Sequence, residues 1–128
     1  MDTLHIEGDF YSPNINFNPE TGIFTMEGNS ILSNPVDFYE PIMSWMEAYG
    51  NNPKPETVLT INLKYCNTSS SRTLIELLRD LESIHKSGKG KVKIRWIYDP
   101  EDEDLLDTGE NLSEILDIPF ELVEDTTT

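Results

Sequence analysis

The stretch VLTINLKYCNTSSSRTLIELLRDLESIHKSGKGKVKIRWIY, residues 58–98, decides the fold. Over 58–65, Leu59, Ile61, Leu63 and Tyr65 alternate with Thr60, Asn62 and Lys64, the period of two that marks a half-buried strand. From about Ser70 to Lys86 the period becomes helical. Leu74, Leu77, Leu78, Leu81 and Ile84 share one stripe, and Arg72, Glu76, Arg79, Asp80 and Glu82 fall largely off it. The loop SGKGK ends that helix, and over 91–98 alternation returns with Val92, Ile94, Trp96 and Tyr98 inward against Lys93 and Arg95 outward. A strand, a helix and a strand in this order predict a right-handed parallel crossover.

Upstream, PNINFNPETGIFTME at 13–27 alternates Ile15 and Phe17 with asparagines, turns through Asn18-Pro19-Glu20-Thr21-Gly22 and resumes with Ile23-Phe24-Thr25-Met26. That pattern predicts a β-hairpin. A helix is expected from Pro35, where Phe38, Ile42, Trp45, Met46 and Tyr49 recur at helical spacing, although Pro41 interrupts its hydrogen bonding, and Gly50-Asn51-Asn52-Pro53 closes it. Downstream, EDEDLLDTGENLSEIL at 101–116 predicts an acidic helix weakened or bent at Gly109, followed by a short strand at 120–123. Both central strands alternate instead of being apolar throughout, so helices are expected mainly on one sheet face. The expected architecture is a single α/β domain over 1–124: a mixed sheet with an N-terminal hairpin and a parallel β-α-β core, with a disordered tail at 125–128.

The 128 residues suffice to bury one core without metals or disulfides. Nine Lys and Arg against 24 Asp and Glu give a formal net charge of −15, which repels phosphate backbones and anionic bilayers, so neither nucleic acid nor membrane is an expected partner. A single cysteine, Cys66, excludes an internal disulfide and thiolate zinc clusters built from this chain alone. The N-terminus MDTLHIEGDF lacks the basic and apolar regions of a signal peptide, and no segment approaches the about 20 apolar residues of a spanning helix. A soluble cytoplasmic protein is the expectation.

The remaining chemistry lies in NTSSSR, residues 67–72, between the strand and the helix. Helix N-termini favour negative charge, and in α/β sheets the carboxyl ends of strands are where ligands bind. One reading is capping, in which Asn67, Thr68 or Ser69 accepts a hydrogen bond from an early helical N–H. The other is a phosphoacceptor, because a phosphate of about −1.5 to −2 charge is tolerated there and transforms the surface a partner meets. Neighbouring hydroxyls are able to divide these roles.

Other residues favour plain structural readings. Cys66 has no placed base to make it a nucleophile and reads as a small packing residue. His5 and His85 lie far apart in sequence, His85 where it complements a helix dipole, and form no evident metal or catalytic pair. SGKGKVK lacks P-loop spacing and precedes a strand, and Glu101-Asp102-Glu103-Asp104 lacks EF-hand spacing, so no cofactor or metal is called for.

The stretch TINLKYCNTSSSRTLIELLRDLESIHKSGKGKVKIRW resembles the core of STAS-type anti-sigma-factor antagonists, in which a strand enters an Asp-Ser-Ser-Gly turn whose first serine is phosphorylated. Thr68 stands at that serine and Ser69 at the second, with Asn67 in place of the aspartate and Ser70 in place of the glycine. Those departures, with YCNTSS, RWIYDPEDED and IPFEL, resemble more closely the SiaC family of bacterial phosphoproteins, over nearly the whole chain from LHIEGDFYSPNINFNPETG to IPFEL. The resemblance implies a non-enzymatic STAS-like switch. A Ser/Thr protein kinase phosphorylates Thr68, a PP2C-type phosphatase reverses it, and the unphosphorylated form binds and activates a diguanylate cyclase, raising cyclic di-GMP and biofilm formation. Asn67, Ser69, Ser70 and Arg72 are expected as partner contacts around Thr68. Two alternatives remain: an anti-sigma-factor antagonist, and a small hydrolase or transferase using Thr68 or Cys66 as nucleophile.

Overall fold

The computed structural model describes residues 1–125. Its elements are β1 (Leu4–Ile6), β2 (Asn14–Asn18), β3 (Ile23–Ser30), α1 (Pro35–Gly50), β4 (Glu56–Cys66), α2 (Thr68–Ser87), β5 (Lys91–Tyr98), α3 (Glu103–Ile115) and β6 (Phe120–Glu124). They build one six-stranded sheet in which spatial order equals chain order. β1, β2 and β3 pair antiparallel, and β3 through β6 pair parallel.

Three consecutive crossovers all step the same way across the sheet, so crossovers of one hand carry their helices to one face. The packing agrees. Trp45 and Tyr49 of α1 lie with their ring centroids 5.4 and 4.9 Å from that of Phe24. The leucine stripe of α2, Leu74, Leu77, Leu78 and Leu81, is buried in the same core as Leu59, Ile61, Leu63, Val92, Ile94 and Trp96. α3 meets Trp96 and Leu122. The opposite face is uncovered and polar, with Asn16, Thr25, Thr60, Arg95 and Glu121 in register across five strands. Lys93 and Glu121 close an ion pair there at 2.6 Å.

The hairpin forms where alternation places it, and its turn requires Gly22, whose φ is +73° and whose missing Cβ would lie 2.2 Å from the Glu56 carbonyl oxygen. Several expectations are corrected. β1 carries no usable period in three residues and was not foreseen; it pairs Leu4 with Phe17 and Ile6 with Ile15. β3 continues past the hairpin to Ser30 and supplies the parallel neighbour of β4, so there are three β-α-β units rather than one. α1 runs through the exposed Pro41 without interruption.

α3 is likewise continuous across Gly109, which is buried. A Cβ on Gly109 would stand 2.5 Å from Trp96 Cδ1 and 2.8 Å from Leu122 Cδ2. That glycine lets the helix approach the sheet; it does not bend the helix away. Tyr65, expected inward by alternation, is 64% exposed because β4 gains one residue against β3 between the Gly28–Leu63 and Asn29–Tyr65 pairs, so the inward face passes from Leu63 to Cys66, opposite buried Ser30. Asp125, expected in the tail, donates its N–H to the Tyr98 carbonyl at 2.7 Å and pairs with Lys64 at 3.4 Å. The rest of that tail, 126–128, lies outside the described residues.

Candidate functional site

β4 ends at Cys66 and α2 begins at Thr68, so Asn67 alone makes the turn. Asn67 is extended, with φ −74° and ψ 168°, and its Oδ1 accepts the Ser70 N–H at 3.0 Å. It is the helix cap. The same side chain turns its Nδ2 outward from the helix to donate to the Leu32 carbonyl at 3.0 Å. Ser69 Oγ donates to that carbonyl at 3.1 Å, and Leu32 donates its N–H to Ser70 Oγ at 3.4 Å. The Asn67 N–H donates to the Ser30 carbonyl at 3.0 Å. These bonds tie the segment between β3 and α1 to the start of α2, closing backbone groups that otherwise lose water without a partner. Beneath them, fully buried Ser30 and Tyr39 share a hydroxyl–hydroxyl bond of 2.7 Å, and burial holds the Tyr39 phenol well above its ordinary pKa.

The hydroxyl run thus divides its work. Asn67, Ser69 and Ser70 hold the neighbouring loop, Ser71 Oγ lies 3.3 Å from Cys66 Sγ, and Thr73 Oγ1 donates to the Ser69 carbonyl at 3.3 Å. Thr68 is the exception: exposed, at the first helical position, with no hydrogen bond to its hydroxyl among the described residues. One helical turn on, Arg72 is also exposed and forms no ion pair among the described residues. Ser70, expected as a partner contact, is 0% exposed and its hydroxyl accepts the Leu32 N–H. Asn67 and Ser69 are partly buried and committed to Leu32.

No nucleophile is assembled at the turn. Burial pushes the Cys66 thiol up, and its bond to Ser71 offsets this only in part, which is the reverse of what a reactive thiolate needs. His85 Nδ1 is occupied by the Val92 N–H at 3.0 Å, and His5 lies on β1 at the far edge of the sheet. In the acidic run, Asp102 Oδ1 caps α3 by accepting the Leu105 N–H at 3.0 Å, and Asp99 accepts the Glu101 N–H at 2.9 Å. Among the described residues no cluster of His, Cys, Asp or Glu has the makings of a metal site, and no helix is long and apolar enough to cross a membrane.

The sequence reading missed the residues that meet this turn from the N-terminal side. Asn29 Nδ2 donates to the Phe10 carbonyl at 2.9 Å, and Ile31 donates its N–H to the Tyr11 carbonyl at 2.9 Å, while Asn29 sits opposite Tyr65 in register. Phe10 and Tyr11 are 67% and 60% exposed. Two exposed aromatics in GDFYSP, inside so acidic a chain, are the signal that was available.

Known proteins share this fold. The family model described as SiaC family regulatory phosphoprotein matches residues 6–125. An uncharacterised protein of Pseudomonas aeruginosa strain UCBPP-PA14 is 30% identical over 120 residues, which cover 94% of either chain. The structure of SiaC of Pseudomonas aeruginosa superposes with a TM-score of 0.87 at 29% identity, covering 98% of this chain and 100% of that one. A similar match, TM-score 0.86 at 29% identity over 95% of this chain and 99% of that one, is to the crystal structure of diguanylate cyclase SiaD in complex with its activator SiaC from the same organism. With the family model matched over residues 6–125 and the fold shared over nearly the whole chain, this chain belongs to the SiaC family.

Proposed function

We propose that the chain is a phosphorylation-controlled protein-binding switch. Unphosphorylated, it binds and activates a diguanylate cyclase and so raises cyclic di-GMP and biofilm formation. A Ser/Thr protein kinase adds phosphate to Thr68 and abolishes this, a PP2C-type phosphatase restores it, and the exchange takes place in the cytoplasm. The protein itself catalyses no reaction.

One observation carries the residue assignment: of the hydroxyls at the β4–α2 turn, Thr68 alone is both exposed and without a hydrogen bond. A kinase reaches it without breaking the fold. Support for the cyclase comes from the likeness to SiaC, which is the activator in the SiaD complex. Phosphate at the N-terminus of α2 is compatible with the helix dipole, so the switch acts through the surface and leaves the fold in place.

The test is reconstitution with the cyclase encoded in the same genome, following cyclic di-GMP made from GTP. Thr68→Ala is expected to activate the cyclase and refuse phosphate, and stoichiometrically phosphorylated protein is expected not to activate. A phosphoprotein that activates as well as the unmodified chain, or a Thr68→Ala variant that still takes up phosphate, overturns the assignment.

A further inference from the structure

We propose that Phe10, Tyr11, Tyr65 and Arg72, arranged around Thr68 at the carboxyl end of β3 and β4, form the surface on which the cyclase docks. The proposal rests on the switch reading above and names the chemistry it leaves open: the partner presents apolar side chains and at least one carboxylate.

Three chain segments converge here: 10–13 ahead of β2, 29–32 at the end of β3, and 65–72 through the turn. Their backbones are linked through Asn29 to Phe10, Ile31 to Tyr11, and Asn67 to Ser30 and Leu32. Phe10 and Tyr11 pack edge to face with centroids 5.2 Å apart, and both rings remain largely in solvent. Together with Tyr65 they provide aromatic area of the kind that dominates binding energy, held on a hydrogen-bonded frame that needs little ordering on association.

Charge separates this surface from the rest of the molecule. Asp and Glu are missing from 10–19, 28–36 and 57–75, and Arg72 is an exposed cation with no ion pair among the described residues, bordered by Asp9, whose carboxylate accepts the Tyr11 and Ser12 N–H groups, and by Glu76 one turn along α2. Its boundary is acidic: a shallow cleft beside Tyr65 is lined on the far side by Asp102 and Asp104 of the α3 N-terminus. An acidic partner is attracted to Arg72 and repelled at that rim, which fixes its orientation.

The same geometry explains how one phosphate is decisive. Thr68 and Arg72 are four residues apart on α2 and face the same side. A phosphate of about −2 on Thr68 captures the guanidinium and turns the local charge from positive to negative. The partner's carboxylate then meets repulsion where it met its counter-ion.

The experiment measures the affinity of the purified chain for the purified cyclase by titration calorimetry, with thermal melts as a check on folding. Tyr65→Ala, Phe10→Ala with Tyr11→Ala, and Arg72→Gln are each expected to weaken binding by about tenfold or more. Ile23→Ala, at a 60% exposed apolar residue on the open sheet face, is expected to bind within twofold of the parent. The affinity lost in Arg72→Gln should be the part most sensitive to added salt. If the aromatic and Arg72 variants bind like the parent while Thr68 phosphate still abolishes binding, the switch stands and this surface is wrong. If they lose phosphorylation by the kinase and keep the cyclase, the surface belongs to the kinase and the proposal falls. A parent chain that never binds the cyclase overturns the switch reading and this surface together.

Discussion

The Asn67 amide joins two elements at once, donating to the Leu32 carbonyl at 3.0 Å while its oxygen accepts the Ser70 N–H at the same distance. An aspartate, the residue of the STAS turn that this one resembles, keeps the second bond and turns an oxygen against the Leu32 carbonyl. Asn67→Asp is therefore expected to cost about 1 kcal/mol, and Asn67→Ala, which loses both bonds, about 2 kcal/mol. Urea unfolding measures both, and an Asp variant as stable as the parent contradicts the dual role.

Gly109 is expected to tolerate nothing larger. Alanine favours helix by about 1 kcal/mol, yet its Cβ would press into Trp96 Cδ1 at 2.5 Å and Nε1 at 2.7 Å. Overpacking of this kind costs about 1–3 kcal/mol and wins here, because Trp96 is buried and its indole N–H is held by the Leu105 carbonyl at 3.1 Å. Gly109→Ala should lower the urea midpoint and shift the tryptophan emission.

Ser30 and Tyr39 form a closed pair under the turn. Removing one hydroxyl strands the other without water, at about 1–3 kcal/mol, whereas removing both leaves nothing unpaired. Ser30→Ala and Tyr39→Phe should each destabilise, and the double variant should recover much of the loss. A strictly additive double variant would show that the bond contributes nothing.

Asp80 is set against Glu76 on its own helix and Glu47 on α1, and partial burial followed by these two charges raises its pKa. Its charged form is therefore disfavoured in the folded state, and the stability associated with the neutral form is lost as pH rises through the folded pKa. Asp80→Asn should raise the melting temperature at pH 8 by about 2 °C, in keeping with like-charge pairs of about 0.2–0.5 kcal/mol. The gain should shrink as pH falls through the folded pKa of the parent residue, which then becomes neutral. A gain independent of pH implies a packing effect instead.

The fold was legible wherever one face of an element meets the core and the other meets water. Leu59, Ile61 and Leu63 announced β4 in this way, as did the Leu74 to Ile84 stripe for α2. Tertiary approach has no such period: Gly109 read as a weak point because the Trp96 surface it accommodates belongs to another element. Tyr65 continues the alternation of the sequence and still faces solvent, since a bulge in the pairing with β3 moves the inward positions by one residue. At the site, local chemistry offered Asn67, Thr68 or Ser69 as the cap, and Asn67 is the cap that forms, whereas only the family resemblance singled out Thr68 among the hydroxyls. The use of Ser69 and Ser70 was hidden, because their partner Leu32 lies 37 and 38 residues away along the chain.

A sheet laid down strictly in chain order has a consequence for the protein's birth on the ribosome. Each parallel strand adds beside the one made just before it, so no later strand must insert between two already placed. The Leu32 loop that anchors the Thr68 turn is synthesised first, and β5 and β6 arrive last. When β5 and β6 are made, the strands and the loop they complete are already synthesised.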